Sequence, residues 1–227
     1  MPSFPKLKLI SFTICAYVQR ARIVLLEKNI PHEIEYIDLQ SPPDWFYDVS
    51  PMEKVPVLLV GDVSVFESMV ICDYLDEISP RSLYPADPLL KARQRAWIAF
   101  GDGILDSFYG LLRTTDEKEF KRHKSTILDR LETIEESITQ EQLFGRDEFC
   151  MVDVVFAPLF RFLHGLKQYA HIDIYTDTPV IAEWATRLLA RPSVIKSVPA
   201  SYSEALPAYL QKFDGVLAGL IKSTLNQ

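Results

Sequence analysis

Cysteine and histidine are scarce in this chain, and the scarcity excludes several kinds of site. Only three cysteines occur in 227 residues, an odd number spaced too widely for a disulfide framework. The four histidines are scattered without metal-ligand spacing, so we expect no metal. The cysteines are Cys15, Cys72 and Cys150, and the histidines are His32, His123, His164 and His171.

An excess of positive charge is also lacking. The formal net charge of −7 argues against nucleic acid as a partner, because phosphates require a basic surface. Two local basic clusters, Lys121–Lys124 and the pair Arg20 and Arg22, are interleaved with acids. We interpret both clusters as solvated helix faces.

No apolar run is long enough to span a bilayer, so no membrane contact is expected. The longest candidate, Leu9–Val18, is interrupted by Ser11 and Thr13 and has no signal-peptide cleavage pattern. We therefore expect a cytoplasmic protein, in which a reducing environment keeps the thiols free.

Strand and helix patterns alternate over the first eighty or so residues. The order is βαβ, a crossover, and then ββα, which predicts a thioredoxin-like mixed sheet with parallel and antiparallel pairs. The predicted elements are strand Lys6–Ile10, helix Ala16–Lys28, strand Glu33–Ile37, a short turn of helix at Trp45–Val49, hairpin strands Val57–Val60 and Val63–Phe66, and a helix capped by Ser68.

Helical patterns replace the strand patterns from Asp87 onward, after a proline-rich linker at Arg81–Pro88. The residues Ile127, Leu131, Ile134 and Ile138 form a core-facing stripe. Further helices are predicted at Leu89–Thr114, Val152–Tyr169, Val180–Ala190 and Pro192–Val198. The sequence thus predicts a thioredoxin-like α/β domain over residues 1–83 and an all-α domain over residues 84–227.

Four stretches, in this order, resemble the cytosolic glutathione transferases, and among them the omega-like class. They are Cys15-Ala16-Tyr17-Val18-Gln19-Arg20 at the place of a Cys-Pro-Phe-x-x-Arg turn, Trp45-Phe46-Tyr47 before Pro51 and Val55-Pro56-Val57-Leu58, Glu67-Ser68 before Tyr74-Leu75-Asp76-Glu77, and Arg191-Pro192-Ser193-Val194. The resemblance implies the glutathione transferase architecture, glutathione as co-substrate and a homodimer. It covers nearly the whole chain.

Cys15 is the candidate catalytic residue. It follows the first strand and opens the first helix, where a thiolate faces unpaired N–H groups and partial positive charge. We expect this position to lower the pKa of the thiol. The alternative is a small buried apolar residue, which is how we interpret Cys72 and Cys150.

The residue three positions after Cys15 is Val18, so a second thiol is missing there. A lone thiolate has no internal resolving partner and must be released by an external thiol, a role that glutathione fits. The sequence therefore favours a thiol transferase or reductase, of the dehydroascorbate-reductase type, acting on oxidised or glutathionylated substrates.

The resemblance assigns a glutathione site to residues after the second strand. It implies a cis Val55–Pro56 bond whose backbone binds the cysteinyl part of glutathione like an added strand. Ser68 at a helix start suits the γ-glutamyl carboxylate, and Glu67 suits the ammonium group. An ordinary trans loop and a plain helix cap are the alternatives, and Lys54 is either a partner of the glycine carboxylate or a solvated lysine.

The chain departs from the omega pattern at several positions. Ala16 replaces the proline after the nucleophile, Tyr17 replaces a phenylalanine, and Val49 stands where the class has a lysine. Cys150 replaces the Ser or Thr of a helix-capping motif, a loss of about 1 kcal/mol.

The second substrate is expected between the domains, against the helix after Leu89. Tyr17, Tyr109 and Arg113 are the candidate residues, because an aromatic ring and a cation four residues apart share a helix face. Phe108 is interpreted as a core residue.

Two other functions remain open at this point. The segment Arg22–Lys28 also resembles the stringent starvation proteins, which use a transferase fold to bind RNA polymerase and lack a nucleophilic cysteine at this turn. An ordinary glutathione-conjugating transferase is the other alternative.

Overall fold

The computed structural model describes residues 4–141 and 148–225. The strands are β1 Leu7–Ser11, β2 Glu33–Tyr36, β3 Val57–Val60 and β4 Val63–Phe66. The helices are α1 Ala16–Glu27, α2 Trp45–Val49, α3 Ser68–Glu77, α4 Pro88–Arg113, α5 Glu117–Glu141, α6 Met151–Ala170, α7 Pro179–Leu189, α8 Pro192–Lys196, α9 Tyr202–Gln211 and α10 Val216–Leu225. The predicted order, an α/β region followed by helices, is confirmed.

The four strands form one mixed sheet in the order β2-β1-β3-β4. β1 pairs in parallel with β2 and antiparallel with β3, and β4 completes an antiparallel hairpin with β3. β1 is therefore hydrogen-bonded on both sides, and Leu9 and Ile10 within it are fully buried. Charged side chains protect the edge strand β2, where Glu35 pairs with Lys8 of β1.

The chain divides into two compact units. The first comprises the residues up to Leu83 together with Arg191–Tyr202, and the second comprises Tyr84–Ala190 together with the residues from Ser203 onward. The sequence assigns everything after residue 83 to the helical domain, whereas in the structure Arg191–Tyr202 packs with the first unit.

The carboxylate of Glu27 in α1 holds Arg191–Tyr202 in the first unit. Glu27 accepts hydrogen bonds from Arg191 Nε and Nη2, each at 2.7 Å, and from the hydroxyl of Ser193. Burial acts to raise the pKa of Glu27, but the bonds from Arg191 and Ser193 hold it below its ordinary value. Arg22 adds a bond to the carbonyl of Lys196 at 3.1 Å. Sequence periodicity carries no sign of these contacts, since their partners lie over 160 residues apart.

The helical unit has its core around α6, most of whose residues are buried. The predicted stripe of α5 is confirmed, because all four of its isoleucine and leucine side chains are fully buried. Gly101 of α4 lets the ring of Phe156 approach so closely that a Cβ would lie 2.8 Å from it. No described helix is long and apolar enough to cross a membrane.

Cys150 begins α6 without the usual hydroxyl cap. Its N–H donates to Asp153 Oδ2 at 2.8 Å, and its sulfur accepts from the N–H of Asp153, so both halves of the capping motif are present with a thiol in place of the hydroxyl. Trp184 Nε1 donates to the other oxygen of Asp153 at 2.7 Å. Burial raises the pKa of Asp153 despite these bonds.

The helices α9 and α10 lie beyond the elements predicted from the sequence. α9 contains Pro207, which breaks a helical pattern in the sequence. α10 follows Gly215, where a Cβ would lie 2.6 Å from the carbonyl oxygen of Thr114. Thr114 directly follows α4 and lies about a hundred residues before Gly215, so local sequence could not indicate this contact.

A buried ion pair lies at the C-terminal end of α3 in the first unit. Lys28 Nζ lies 2.7 Å from Asp76 Oδ1, and each side chain is only 5% exposed. Asp76 also accepts from Ser82 Oγ at 2.6 Å and from the N–H of Leu83 at 2.8 Å. Lys28 bonds the carbonyls of Pro80 and Arg81. One carboxylate thereby joins α1, α3 and the chain leaving the unit.

Replacing Asp76 with Asn should destabilise the protein by about 3 kcal/mol, because the Lys28 charge stays buried without its partner. Equilibrium denaturation followed by tryptophan fluorescence measures the change. Lys222→Gln breaks the exposed pair of Lys222 with Asp214 and serves as the control, with an expected effect below about 1 kcal/mol. Equal effects of the two substitutions would contradict the role given to the buried pair.

Candidate active site

The sheet brings three predicted site segments to one edge. Ile10 in β1 pairs with Val57 in β3, and Val57 pairs with Phe66 in β4. The chain leaves β1 toward Cys15, enters β3 from Val55 and leaves β4 into Glu67. The turn before α1, the loop before β3 and the start of α3 are therefore neighbours at this edge.

Cys15 is the N-cap residue of α1, as the sequence predicts. Its backbone is extended, with φ −67° and ψ 119°, and its carbonyl accepts the first helical bond from the N–H of Gln19 at 3.3 Å. Its own N–H donates to the carbonyl of Phe12 at 3.1 Å. The turn after β1 is thus fixed by backbone bonds, although Ala16 replaces the proline of the omega pattern.

The sulfur of Cys15 lies against the loop before β3. Sγ is 3.8 Å from the carbonyl oxygen of Val55, and the residue as a whole is partly exposed. Burial of the sulfur raises the pKa of the Cys15 thiol, while the N–H groups of Val18 and Tyr17 and the charge of Arg20 act to lower it. Burial dominates this balance. The predicted lowering of the Cys15 pKa is therefore wrong for this structure.

Arg20 is a buried cation, whereas the sequence predicts an exposed one. We interpret Arg20 from sequence as part of a solvated face, but its side chain is only 1% exposed. The guanidinium carbon lies 4.9 Å from the centroid of the Tyr17 ring, and its charge acts on Cys15 and Cys72. The signal available in the sequence was the position of Arg20 in the omega-like turn, five residues after Cys15 and more than one helical turn into α1.

The other two cysteines are buried. Burial raises the pKa of Cys72 to about 12, with Arg20 lowering it and Asp73 and Asp76 raising it. Burial and the carboxylate of Asp153 raise the pKa of Cys150 as well. Neither thiol has the partial exposure of Cys15.

The Val55–Pro56 bond is cis, as the resemblance implies. Val55 is 8% exposed, and within the part of the chain that the structure describes its N–H has no hydrogen-bond partner. Ser50 holds the loop: its hydroxyl donates to the carbonyl of Lys54 at 2.8 Å and accepts from the N–H of Lys54 at 2.9 Å. The side chain of Lys54 is exposed.

The start of α3 differs by one residue from the prediction. Glu67, not Ser68, is the N-cap; it has a left-handed φ of 71°, and its carbonyl accepts from the N–H of Ile71 at 2.9 Å. Ser68 is the first helical residue and is 7% exposed. Across residues 4–141 and 148–225, its hydroxyl makes no hydrogen bond. This hydroxyl and the N–H groups of the first turn suit an anion, and the carboxylate of Glu67 is exposed beside them.

The candidate second-substrate residues lie in different units. Tyr17 is in α1, whereas Tyr109 and Arg113 are in the last turns of α4. The guanidinium carbon of Arg113 is 5.5 Å from the Tyr109 ring centroid, which confirms that they share a helix face. Phe108 is fully buried and stacks on Phe162 with centroids 4.8 Å apart, as expected of a core residue. Among the described residues, no group of His, Cys, Asp and Glu side chains could hold a metal.

Comparison with known proteins gives consistent matches. The family model "Glutathione S-transferase, N-terminal domain" matches residues 14–78. Glutathione S-transferase omega-2 of Rattus norvegicus is 30% identical over 200 residues, covering 83% of this chain and 77% of the relative. Glutathione S-transferase U19 of Arabidopsis thaliana is 28% identical, covering 84% and 89%.

Solved structures share the fold. Rice GST1, crystallised with glutathione, has a TM-score of 0.80 and 25% identity over 97% of this chain and 98% of its own. Glutathione transferase Omega 3C from Trametes versicolor has a TM-score of 0.77 and 22% identity, covering 86% and 90%.

Alkylation of the native protein should modify Cys15 before Cys72 and Cys150, because only Cys15 is partly exposed. Since burial raises its pKa, the rate with iodoacetamide should reach half its maximum above about pH 8.5, the ordinary thiol value. Peptide mass spectrometry over a pH series measures both properties. Protein unfolded in denaturant is the control, in which all three cysteines should react. Half-maximal labelling near neutral pH would contradict the burial effect.

Proposed function

The chain belongs to the glutathione S-transferase family and is omega-like, and from this premise we propose that it is a glutathione-dependent thiol transferase or reductase with Cys15 as its nucleophile. The observation that supports this proposal most is the placement of Cys15. Cys15 is a partly exposed residue at the start of α1, and Val18 stands where a resolving cysteine would be.

Glutathione is the co-substrate in this family, and the first unit offers groups for each of its parts. The backbone N–H of Val55, which has no partner in the described chain, and the adjacent Pro56 suit the cysteinyl backbone. Ser68 suits the γ-glutamyl carboxylate and Glu67 the ammonium group. Lys54 is exposed and positively charged, and we assign it to the glycine carboxylate.

The proposed reaction is a monothiol cycle. The Cys15 thiolate attacks the glutathione sulfur of a mixed disulfide, forms a Cys15–glutathione disulfide and releases the substrate thiolate, which takes a proton. A second glutathione thiolate then attacks the glutathione sulfur of that disulfide. Oxidised glutathione leaves, and the Cys15 thiolate is regenerated.

Opposing effects act on the Cys15 thiolate, and burial, which disfavours it, is the larger. The N–H groups of Tyr17 and Val18 and the charge of Arg20 favour the ionised sulfur, while burial opposes ionisation. A thiolate with a raised pKa is scarcer at neutral pH but more nucleophilic. The cycle should therefore run faster as the pH rises toward the pKa of Cys15.

Two alternative functions can be distinguished from thiol transfer by experiment. A conjugating transferase would turn over an electrophilic aryl halide and would need a hydroxyl to stabilise the glutathione thiolate, whereas position 15 is a thiol. A regulator of the stringent starvation type would bind RNA polymerase without retention on immobilised glutathione. Homodimerisation, a cytoplasmic location and the absence of nucleic-acid binding stay predictions.

Treatment with oxidised glutathione should add one glutathione to Cys15, located by peptide mass spectrometry. Cys15→Ser should lose thiol-transferase activity by at least about a hundredfold, because a hydroxyl cannot form the mixed disulfide. Cys150→Ser, which also removes one thiol, should retain activity. Full activity in Cys15→Ser would refute the mechanism.

Ser68→Ala and Glu67→Gln should each raise the KM for glutathione about tenfold and change kcat little, because each removes one polar contact to the bound molecule. Steady-state kinetics with varied glutathione separates the two constants. Ser64→Ala in β4 and Glu77→Gln at the other end of α3 are matched controls. A fall in kcat at unchanged KM would show that these residues do not bind glutathione.

A further inference from the structure

A cavity lies in the helical unit between α5 and the segment that joins α6 to α7. Its volume is about 190 Å³, many times the roughly 10–15 Å³ that one water needs, so a small organic molecule has room there. All of the lining residues belong to the same compact unit. Those that bear on its chemistry are Lys124, Leu128 and Glu132 of α5 and Asp173, Ile174, Asp177 and Thr178 of the segment.

The segment that borders the cavity is held at both ends. Glu135 of α5 accepts the N–H groups of Val180 and Ile181, each at 2.8 Å, and so fixes the start of α7 against α5. At the other end of the segment, Asp173 pairs with Lys167 of α6 at 2.9 Å. The lining groups are therefore in place before a ligand arrives, which reduces the conformational entropy lost on binding.

Thr178 carries a buried hydroxyl whose usual partners are taken. It is the N-cap residue of α7, a position from which a threonine hydroxyl ordinarily accepts an N–H of the first turn. Glu135 occupies those N–H groups instead, and Thr178 Oγ1 makes no hydrogen bond among residues 4–141 and 148–225. Thr178 is only 2% exposed. Since buried polar atoms nearly always have partners, this oxygen points to a ligand that donates a hydrogen bond.

Two carboxylates of the same cavity are also without partners. The side chains of Glu132 and Asp177 form no ion pair or hydrogen bond within the part of the chain that the structure describes. The third carboxylate, that of Asp173, is neutralised by Lys167. A primary ammonium group has one positive charge and three N–H donors, so two carboxylates and one hydroxyl oxygen provide the acceptors it needs.

A cation and an apolar surface complete the cavity. Lys124 precedes Glu132 by eight residues, about 12 Å of helix, and its side chain has no ion-pair partner among the described residues. Leu128 lies midway between them in α5, and Ile174, 1% exposed, lines the same cavity. One hydrogen bond at each end leaves roughly 6 Å between the charged groups of a ligand. A carboxylate suits Lys124, and an alkyl chain suits the apolar surface.

We propose that this cavity binds a small zwitterion, a molecule whose primary ammonium and carboxylate groups are separated by a short alkyl chain. The ammonium donates to Glu132, Asp177 and Thr178 Oγ1, and the carboxylate accepts from Lys124. The alkyl chain packs on the apolar residues between these ends and displaces water from them. None of these residues is assigned to glutathione or to thiol transfer, so the site goes beyond the proposed function.

Three probes of equal chain length test the two ends of the site. 5-Aminopentanoate carries both charges, pentylamine only the ammonium and pentanoate only the carboxylate. Isothermal titration calorimetry should show 5-aminopentanoate binding at least about tenfold more tightly than either other probe, because only this molecule satisfies both ends. Equal binding of the three probes, or no binding of 5-aminopentanoate at about 10 mM, would overturn the inference.

Single substitutions assign each end of the ligand. Glu132→Gln and Asp177→Asn should each reduce the advantage of 5-aminopentanoate over pentanoate about fivefold, because each removes a charged acceptor of the ammonium. Lys124→Gln should instead reduce its advantage over pentylamine. Thr178→Val removes the unpaired hydroxyl at nearly constant shape, so it should weaken 5-aminopentanoate binding without lowering the thermal stability of the free protein.

Asp62→Asn is the matched control, because Asp62 is an exposed aspartate in the turn between β3 and β4 and does not line the cavity. It should leave all three affinities unchanged. Circular dichroism checks that each variant is folded. Equal losses in Asp177→Asn and Asp62→Asn would overturn the inference, as would an unchanged affinity in Thr178→Val. Cys15→Ser should bind 5-aminopentanoate like the wild type, since no thiol takes part.

Discussion

The row of paired residues Ile10, Val57 and Phe66 across the sheet is the constraint on which the site depends. Because β1 and β3 run antiparallel, the residue after the end of β1 and the residue before the start of β3 lie at the same edge. The hairpin returns the end of β4 to that edge too. Cys15, Val55 and Glu67 follow or precede these strands, so a register shift of one pair would separate the sulfur from the Val55 carbonyl.

Desolvation and charge compete at Cys15. The helix start offers N–H groups to the sulfur, and Arg20 offers a buried charge, yet the surrounding protein removes water that would otherwise stabilise a thiolate. The position of a cysteine at a helix N-terminus is visible in a sequence, whereas the extent of its burial is not. For that reason the direction of the pKa shift could not be predicted from the position alone.

The helical unit illustrates how the chain fixes distant residues beside one another. Gly215 admits the carbonyl of Thr114, and this contact places Phe213 next to Arg113, about a hundred residues earlier in sequence. Glu27 performs a similar task in the first unit, where it returns Arg191–Tyr202 to the sheet-containing unit. In both cases contacts between residues far apart in sequence hold a segment within its unit.

The sequence by itself determined the order and type of the elements from β1 to α8, because alternating and helical periodicity are local properties of the chain. It also determined Cys15 as a helix-start thiol with no second cysteine at Val18. Only the tertiary structure decided that Arg20 is buried, that Glu67 rather than Ser68 caps α3, and that α9 and α10 follow. These features depend on contacts between residues far apart in sequence, where burial and backbone approach are set by the packing of the whole unit.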